Sequence, residues 1–457
     1  MLVGSLFVDR ERELEFLERK WNEPGAQLII LYGRRRVGKT ALIKRFLEGK
    51  PGVYHLATAD SMAENIRELG GALARFTGRD YFTDIREFTR LLLNFGREVG
   101  RKRVALVIDE FQYLTMLESG VLSKMQKAWD GGLKDTGIFV ILCGSSVGMM
   151  ERILEYKSPL YGRRTGQWKV SPFDIRAAAR MLPGKDFEDL VKTYLVFGGV
   201  PFYLEFVGTK TTEEAIRELV LRKGEVLYEE PEFLLREEFR EPRTYKLVLK
   251  GLALGYETLG ELSGYTGLER SHLSRYLDIL QRLDIVGYEL PYGRRKRGRY
   301  FIRDNFFAFW FRYVYPNLSD LELGNVEEVW ERIERDINAY YGMMFERLVR
   351  EVLSRRIIDF GQRSVHRWWH KGEEIDAIAE LDGGLLFVEV KWKKLSGKEA
   401  RRILEDLRRK ADRFNGEKRF LLVARKTEDK TDEMLDLEDL RTLVEGDGLS
   451  PTPRSPR

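Results

Sequence analysis

Residues 28–47 read LIILYGRRRVGKTALIKRFL. The run LIILY (28–32) is short and wholly apolar, the pattern of a strand buried on both faces. It enters Gly33-Arg34-Arg35-Arg36-Val37-Gly38-Lys39-Thr40, and the chain resumes as the helix-like ALIKRFL. A GxxxxGK[ST] loop between a strand and a helix is the context of a phosphate-binding loop. Its glycines let backbone N–H groups wrap phosphates, and the helix N-terminus adds positive potential. Lys39 is expected to reach the β- and γ-phosphates, and the Thr40 hydroxyl to bind Mg2+. Residues Gly33 through Thr40 with Ala41 are therefore the expected ATP contacts.

Two further apolar runs follow. VALVI (104–108) ends in Asp109-Glu110, and IFVILC (138–143) ends in Gly144-Ser145. Helical patterns lie between the runs, at 61–76 and 84–99. Strands alternating with helices predict a parallel sheet covered on both faces, with ligands beyond the carboxyl ends of the strands. Asp109 is then expected to hold Mg2+, Glu110 to polarise the attacking water and Ser145 to sense the γ-phosphate. Arg163 and Arg164, in SPLYGRRTG, can stabilise transition-state charge in cis or from a neighbouring subunit, which would imply a homo-oligomer. A solvated basic turn is the plainer alternative.

The chain has 457 residues, enough for about three domains. Its 78 Lys and Arg against 73 Asp and Glu leave only +5, so any contact with nucleic acid must be local. One cysteine, Cys143, excludes a disulfide framework and a cysteine-based zinc site, and four histidines argue against histidine-rich metal chemistry. No apolar run approaches a membrane span, and the N-terminus lacks a signal-peptide pattern; the expected location is the cytoplasm.

From about 171 to 240 helical signals dominate. A short helix near 258–264, a turn and a longer helix at 269–283 follow. Two strands, IVGYEL and RYFIR, then flank a basic tract. That order predicts a helix-turn-helix with a hairpin wing. Arg294, Arg295, Lys296, Arg297 and Arg299 suit a DNA backbone, and Arg270, Ser271, Ser274 and Arg275 lie at the start of the longer helix, where base edges come within reach. A protein contact or a merely solvated tract is the alternative. The aromatic helical segment FFAFWFRYVYP comes next.

The last region, 327–445, opens with a long helix bearing Glu346. Strands follow near 364–369, 374–380 and 385–392, then a charged helix at 397–413 and a strand at 419–425. In a strand Glu389 and Lys391 share a face, away from Val388 and Val390. With Asp376 and Glu346 they are expected to bind Mg2+ or Mn2+ and hydrolyse phosphodiesters, Lys391 orienting water; Glu374 is an alternative ligand. His366 and His370, about 13 Å apart on a strand, do not make a joint metal site. The tail 446–457 is expected to be disordered.

These motifs resemble a known group. GRRRVGKT, VIDEFQYL, GSS and SPLYGRRTG are similar to the archaeal ATPase family in the STAND branch of AAA+-like P-loop NTPases. The resemblance implies that Phe7, Val8 and Arg10, in FVDRERELEFL, lie near the base or ribose. It also implies that Pro201, in GlyGlyValPro, belongs to the GxP motif of a helical lid. The order of Asp376 and Glu389-Val390-Lys391 resembles the PD-(D/E)xK nuclease superfamily, in the domain known as DUF234. The implied fold is α/β: a P-loop ATPase core (1–170), a helical lid (171–240), a winged helix-turn-helix with aromatic linker (241–326) and a restriction-endonuclease-like domain (327–445). The expected function is an ATP-hydrolysing DNA-binding protein that acts as an ATP-regulated, metal-dependent DNA nuclease. The alternative is an ATPase switch whose nuclease-like domain only binds DNA or a partner.

Overall fold

The computed structural model describes residues 7–239 and 241–446, in two compact units divided between Pro172 and Phe173. The tail beyond Gly446 lies outside the described residues. No helix among the described residues is long and apolar enough to cross a membrane.

The first unit is a five-stranded, all-parallel sheet with strand order β2-β3-β4-β1-β5. Its strands are β1 (Gln27–Tyr32), β2 (Gly52–Leu56), β3 (Val104–Asp109), β4 (Ile138–Gly144) and β5 (Gly166–Lys169). The central β3, β4 and β1 are buried at every position. Those are the three apolar runs of the sequence, because a strand covered on both faces has no polar positions to interrupt it. The edge strands β2 and β5 are only partly buried, and their sequences, GVYHL and GQWK, carry no such run. The expected helices appear as Met62–Thr77 and Phe88–Val99, the latter starting late because Glu87 caps it by accepting from the Thr89 and Arg90 N–H groups.

The second unit begins with helices. Ile175–Met181, Phe187–Phe197 and Pro201–Val207 come first, Pro201 sitting where its missing N–H is harmless. Gly199 precedes that last helix and packs on the backbone of Phe173, whose N–H donates to the Gly199 carbonyl at 2.7 Å. The aromatic segment forms a helix, Asn305–Phe309, that widens into a π-helical turn at Trp310–Val314. Phe306, Phe307, Phe309, Trp310 and Phe311 are all fully buried, and the Trp310 indole N–H donates to the Tyr228 carbonyl at 2.7 Å.

Helices Leu259–Thr266 and Arg270–Arg282 meet at Gly267, whose φ of +71° ends the first of them. The second buries Leu273, Leu277 and Leu280. The antiparallel hairpin β6 (Val286–Glu289) and β7 (Arg299–Ile302) follows.

The long helix Val326–Ser354 then leads into a mixed sheet of order β12-β11-β10-β9-β8. Its strands are β8 (Ser364–His370), β9 (Glu373–Leu381), β10 (Gly384–Leu395), β11 (Glu417–Thr427) and the short β12 (Met434–Leu435). The helix Gly397–Ala411 joins β10 to β11, which pair in parallel, whereas β8, β9 and β10 are antiparallel. Such a parallel pair needs a crossover of this length.

A Cβ at Gly199 would lie 1.8 Å from the Phe173 carbonyl oxygen, so its backbone must shift to accept any side chain. Gly199→Ala is expected to destabilise the second unit by about 2 kcal/mol. Gly148→Ala, in the helix Val147–Leu154 with nothing within 4 Å, is expected to be neutral or stabilising. Thermal unfolding midpoints of the two variants check this.

Candidate functional site

The P-loop leaves β1 at its carboxyl end. Gly33 has no room for a side chain, since a Cβ there would sit 2.2 Å from the Val170 carbonyl oxygen. Gly38 takes φ +90° immediately before the helix Lys39–Leu47, a conformation that favours glycine. Lys39 is buried, and its ammonium donates to the carbonyls of Gly33 (2.7 Å) and Arg34 (2.9 Å). Burial pushes its pKa down, against the pull of Glu110 and Asp109. Val37 is fully buried, whereas Thr40 and Ala41 are exposed. Arg34, Arg35 and Arg36 are half-buried, and Arg35 donates to the Tyr113 hydroxyl at 2.9 Å.

Asp109, at the end of β3, is almost fully buried. Its Oδ2 accepts from the Thr40 hydroxyl at 3.0 Å and from the Tyr54 hydroxyl at 2.7 Å. A hydroxyl and a carboxylate in contact beside a phosphate loop fit an octahedral Mg2+ that takes oxygen ligands. Glu110 adopts φ +54°. Its Oε2 accepts from the Ser145 hydroxyl (2.6 Å) and from the Gln112 amide. Ser145 is therefore engaged with Glu110 at the end of β4. Tyr54 and Gln112 escaped the sequence reading: Tyr54 sits on an edge strand without a motif, and Gln112 lies beyond the acidic pair.

Three arginines expected at the nucleotide have other partners. Arg10 is buried and donates to the Val37 carbonyl (2.8 Å) and to Glu13 (2.9 Å), so it braces the loop from behind. Arg163 forms a forked pair with Asp130 at 2.8–3.1 Å, and Arg164 donates to the Leu154 carbonyl while lying 5.3 Å from the Tyr161 ring centre. Of the other two N-terminal residues expected near the base or ribose, Phe7 is exposed and Val8 half-buried. Pro201 belongs to the second unit, at the start of its helix.

The second cluster forms where β9 and β10 part. Their pairing ends at Val388↔Ala377, one residue before Asp376 and Glu389. Asp376 Oδ2 fills the gap by accepting the Val390 N–H at 2.8 Å. Lys391 donates to Glu389 Oε1 at 2.8 Å and lies 3.8 Å from Asp376. The strand thus sets Glu389 and Lys391 on one face while Val388 and Val390 are buried on the other. Glu389 Oε2 is buried and has no hydrogen-bond donor; Lys410, on the helix Gly397–Ala411, lies 3.7 Å from it. Lys410 has no signal in sequence, because it lies 21 residues from its partner, inside a run of alternating charges.

Burial, and then the charge of Asp376, raise the Glu346 carboxyl to about 7, and the same causes raise Glu389. Glu374, the alternative ligand, is instead held by Arg299 and Arg367, each at 2.7 Å. Among the described residues no group of three His, Cys, Asp or Glu side chains is arranged to hold a metal ion, so the expected trio Glu346, Asp376 and Glu389 is not assembled as a ligand cage. The orphan oxygen of Glu389 beside Asp376 still fits a cation.

On the helix Arg270–Arg282, the side chains of Arg270, Ser271, Ser274 and Arg275 are all exposed, as are Arg294, Arg295, Lys296 and Arg297 on the hairpin. Arg299 is not: it bonds Glu374, lies 3.4 Å from Glu257 and covers the Trp369 ring at 4.7 Å. It ties the hairpin to the C-terminal sheet.

Residues 7–207 match the family profile of an ATPase domain predominantly from Archaea, and residues 310–403 match DUF234, described as archaeal and bacterial proteins of unknown function. The uncharacterized protein MJECL04 of Methanocaldococcus jannaschii is 37% identical over 450 residues, covering 95% of this chain and all of the relative. From the same organism, the uncharacterized ATP-binding protein MJ0423 is 78% identical over 45 residues, 10% of this chain and 76% of the relative. Among solved structures, the Walker-type ATPase PABY2304 of Pyrococcus abyssi is 24% identical with a TM-score of 0.49, covering 67% of this chain and 96% of that one.

A carboxyl raised to about 7 in the fold, against 4.5 ordinarily, binds more protons folded than unfolded. Its contribution to stability is fully present below about pH 4.5 and is lost as pH rises through 7. Between pH 5 and 8 the parent is expected to lose about 2 kcal/mol more stability than Glu346→Gln. Urea denaturation at the two pH values checks this.

Proposed function

The chain belongs to the archaeal ATPase family that carries a C-terminal DUF234 region, and on that footing we propose that it hydrolyses ATP, binds DNA and cuts it with a divalent metal. The observation that carries the ATP half is the contact of Thr40 with Asp109 beside a loop whose lysine is buried against its own carbonyls. In this reading Lys39 and the loop N–H groups bind the phosphates. Thr40 and Asp109 would hold Mg2+, which neutralises phosphate charge. Glu110 orients the attacking water and accepts its proton, with Ser145 and Gln112 positioning its carboxylate. The name of MJ0423 as an ATP-binding protein supports the same reading. Arg163 or Arg164 would serve a neighbouring subunit, after release from its present partners.

The exposed basic residues of the helix and hairpin support DNA binding, as a winged helix would deliver it. For cleavage, Asp376 and the unbonded oxygen of Glu389 would hold Mg2+ or Mn2+. The metal would supply Lewis-acid stabilisation of the phosphate, and Lys391 would orient water. One observation favours a second reading, in which this domain only binds: Lys391 and Lys410 already flank Glu389, and among the described residues no group of three acids is arranged to hold a metal ion.

Lys39→Ala is expected to lower phosphate release from ATP at least hundredfold without changing the melting temperature. Retained turnover would refute the ATPase assignment. Asp376→Asn is expected to abolish Mg2+- or Mn2+-dependent cutting of single-stranded, duplex or branched DNA, assayed with and without ATP. Failure of the parent to cut any of them selects the binding-only reading.

A further inference from the structure

The hairpin tip is fastened to the C-terminal sheet at a second point besides Arg299. Tyr292, the residue before the tip, donates its N–H to the Arg367 carbonyl on β8 at 2.9 Å. Its ring packs against the core of Trp368, Ile375, Ile378, Phe387 and Leu407. A side chain anchored in a close-packed core has little freedom, so the tip is held at a set place beside the sheet.

That place is the turn between β8 and β9. Arg294 lies with its Nη2 3.0 Å from His370 Nδ1. A guanidinium has no acceptor, so His370 receives the bond on Nδ1 and its ring is neutral there. The next residue, Lys371, takes φ +51°. Arg294, Arg295, Lys296, Arg297 and Lys371 are exposed, and among the described residues none of them has a carboxylate partner within ion-pair distance. Burial and the charges of Arg294, Lys371, Arg413 and Arg297 hold the His370 ring below its ordinary pKa. The nearby carboxylate Glu373 is already engaged by Arg413 and Arg409. Five cations without a carboxylate partner among the described residues, and a neutral histidine bonded to one of them, thus share one surface, contributed by two segments about 75 residues apart in the chain. Such like charges repel one another unless a polyanion neutralises them.

We propose that the hairpin tip and the β8–β9 turn form one continuous binding surface for the phosphate backbone of duplex DNA, shared between the wing and the C-terminal domain. The proposal rests on the DNA-binding reading above and adds His370 and Lys371 to it. Neither segment, 293–297 or 370–372, carries an apolar side chain. Protein interfaces are built around aromatic and apolar anchors and are depleted of lysine, whereas phosphates ask only for cations and donors. A phosphate beside His370 favours the protonated ring, so the DNA-bound form takes up a proton. Affinity therefore rises as pH falls and levels off once the ring is charged without DNA.

The test uses the full-length chain, a labelled 30-base-pair duplex of arbitrary sequence and fluorescence anisotropy across a salt series at pH 6 and pH 8. Arg295→Ala with Lys296→Ala reports on the wing. Lys371→Asn reports on the turn while tolerating positive φ, with Lys371→Gly as a second variant that fits the same backbone. Lys371→Asn is expected to weaken binding about three- to fivefold and to reduce the salt slope by about one. The parent is expected to bind about threefold more tightly at pH 6 than at pH 8, and His370→Gln to erase that difference. If the wing variant weakens binding while both Lys371 variants and His370→Gln leave affinity, salt slope and pH dependence unchanged, the shared surface is refuted and DNA binding by the wing stands. If the parent shows no salt-sensitive binding, the DNA-binding reading and the shared surface both fall.

Discussion

Burial of β1, β3 and β4 on both faces is the constraint from which the chemistry of the first unit follows. No polar side chain can sit within those strands without losing its hydration, so polar groups gather where the chain leaves the sheet. The strands are parallel, which puts all three exits at one edge. The P-loop, Asp109-Glu110 and Ser145 are those exits. Contacts such as Thr40 with Asp109, and Ser145 with Glu110, are consequences of neighbouring strands ending together.

The second unit solves a different problem. Its carboxylates lie within a sheet, where an acid is costly unless paired. Parting of β9 from β10 frees the Val390 N–H for Asp376, and the two-residue period of β10 brings Lys391 back onto Glu389. Satisfaction is incomplete: one oxygen of Glu389 keeps no donor. Glu346 is raised toward neutrality by the same crowding.

Charge organisation shows the same economy. The excess of +5 looks indifferent as a total. In the fold most arginines are committed: Arg163 to Asp130, Arg367 and Arg299 to Glu374, Arg413 to Glu373. Among the described residues, the cations of the hairpin tip and Lys371 have no carboxylate within ion-pair distance.

The amino-acid sequence by itself determined the three central strands, the P-loop and the acidic pair. Each is local: an apolar run or a fixed spacing within one strand-loop-helix passage. It also determined that Glu389 and Lys391 share a face, since a strand's period is two. The edge strands β2 and β5 were not legible, because half-exposed strands of four or five residues leave no distinct pattern. Nor were Tyr54 on Asp109, Gln112 and Ser145 on Glu110, Lys410 beside Glu389 or His370 against Arg294, all of which tertiary structure decided. Arg10 and Arg299 show the converse, motif-bearing residues whose side chains turned to other work. A motif records which groups a segment offers. Which of them meet is set by how strands align and helices pack, and that information is spread over residues too distant in the chain to be read together.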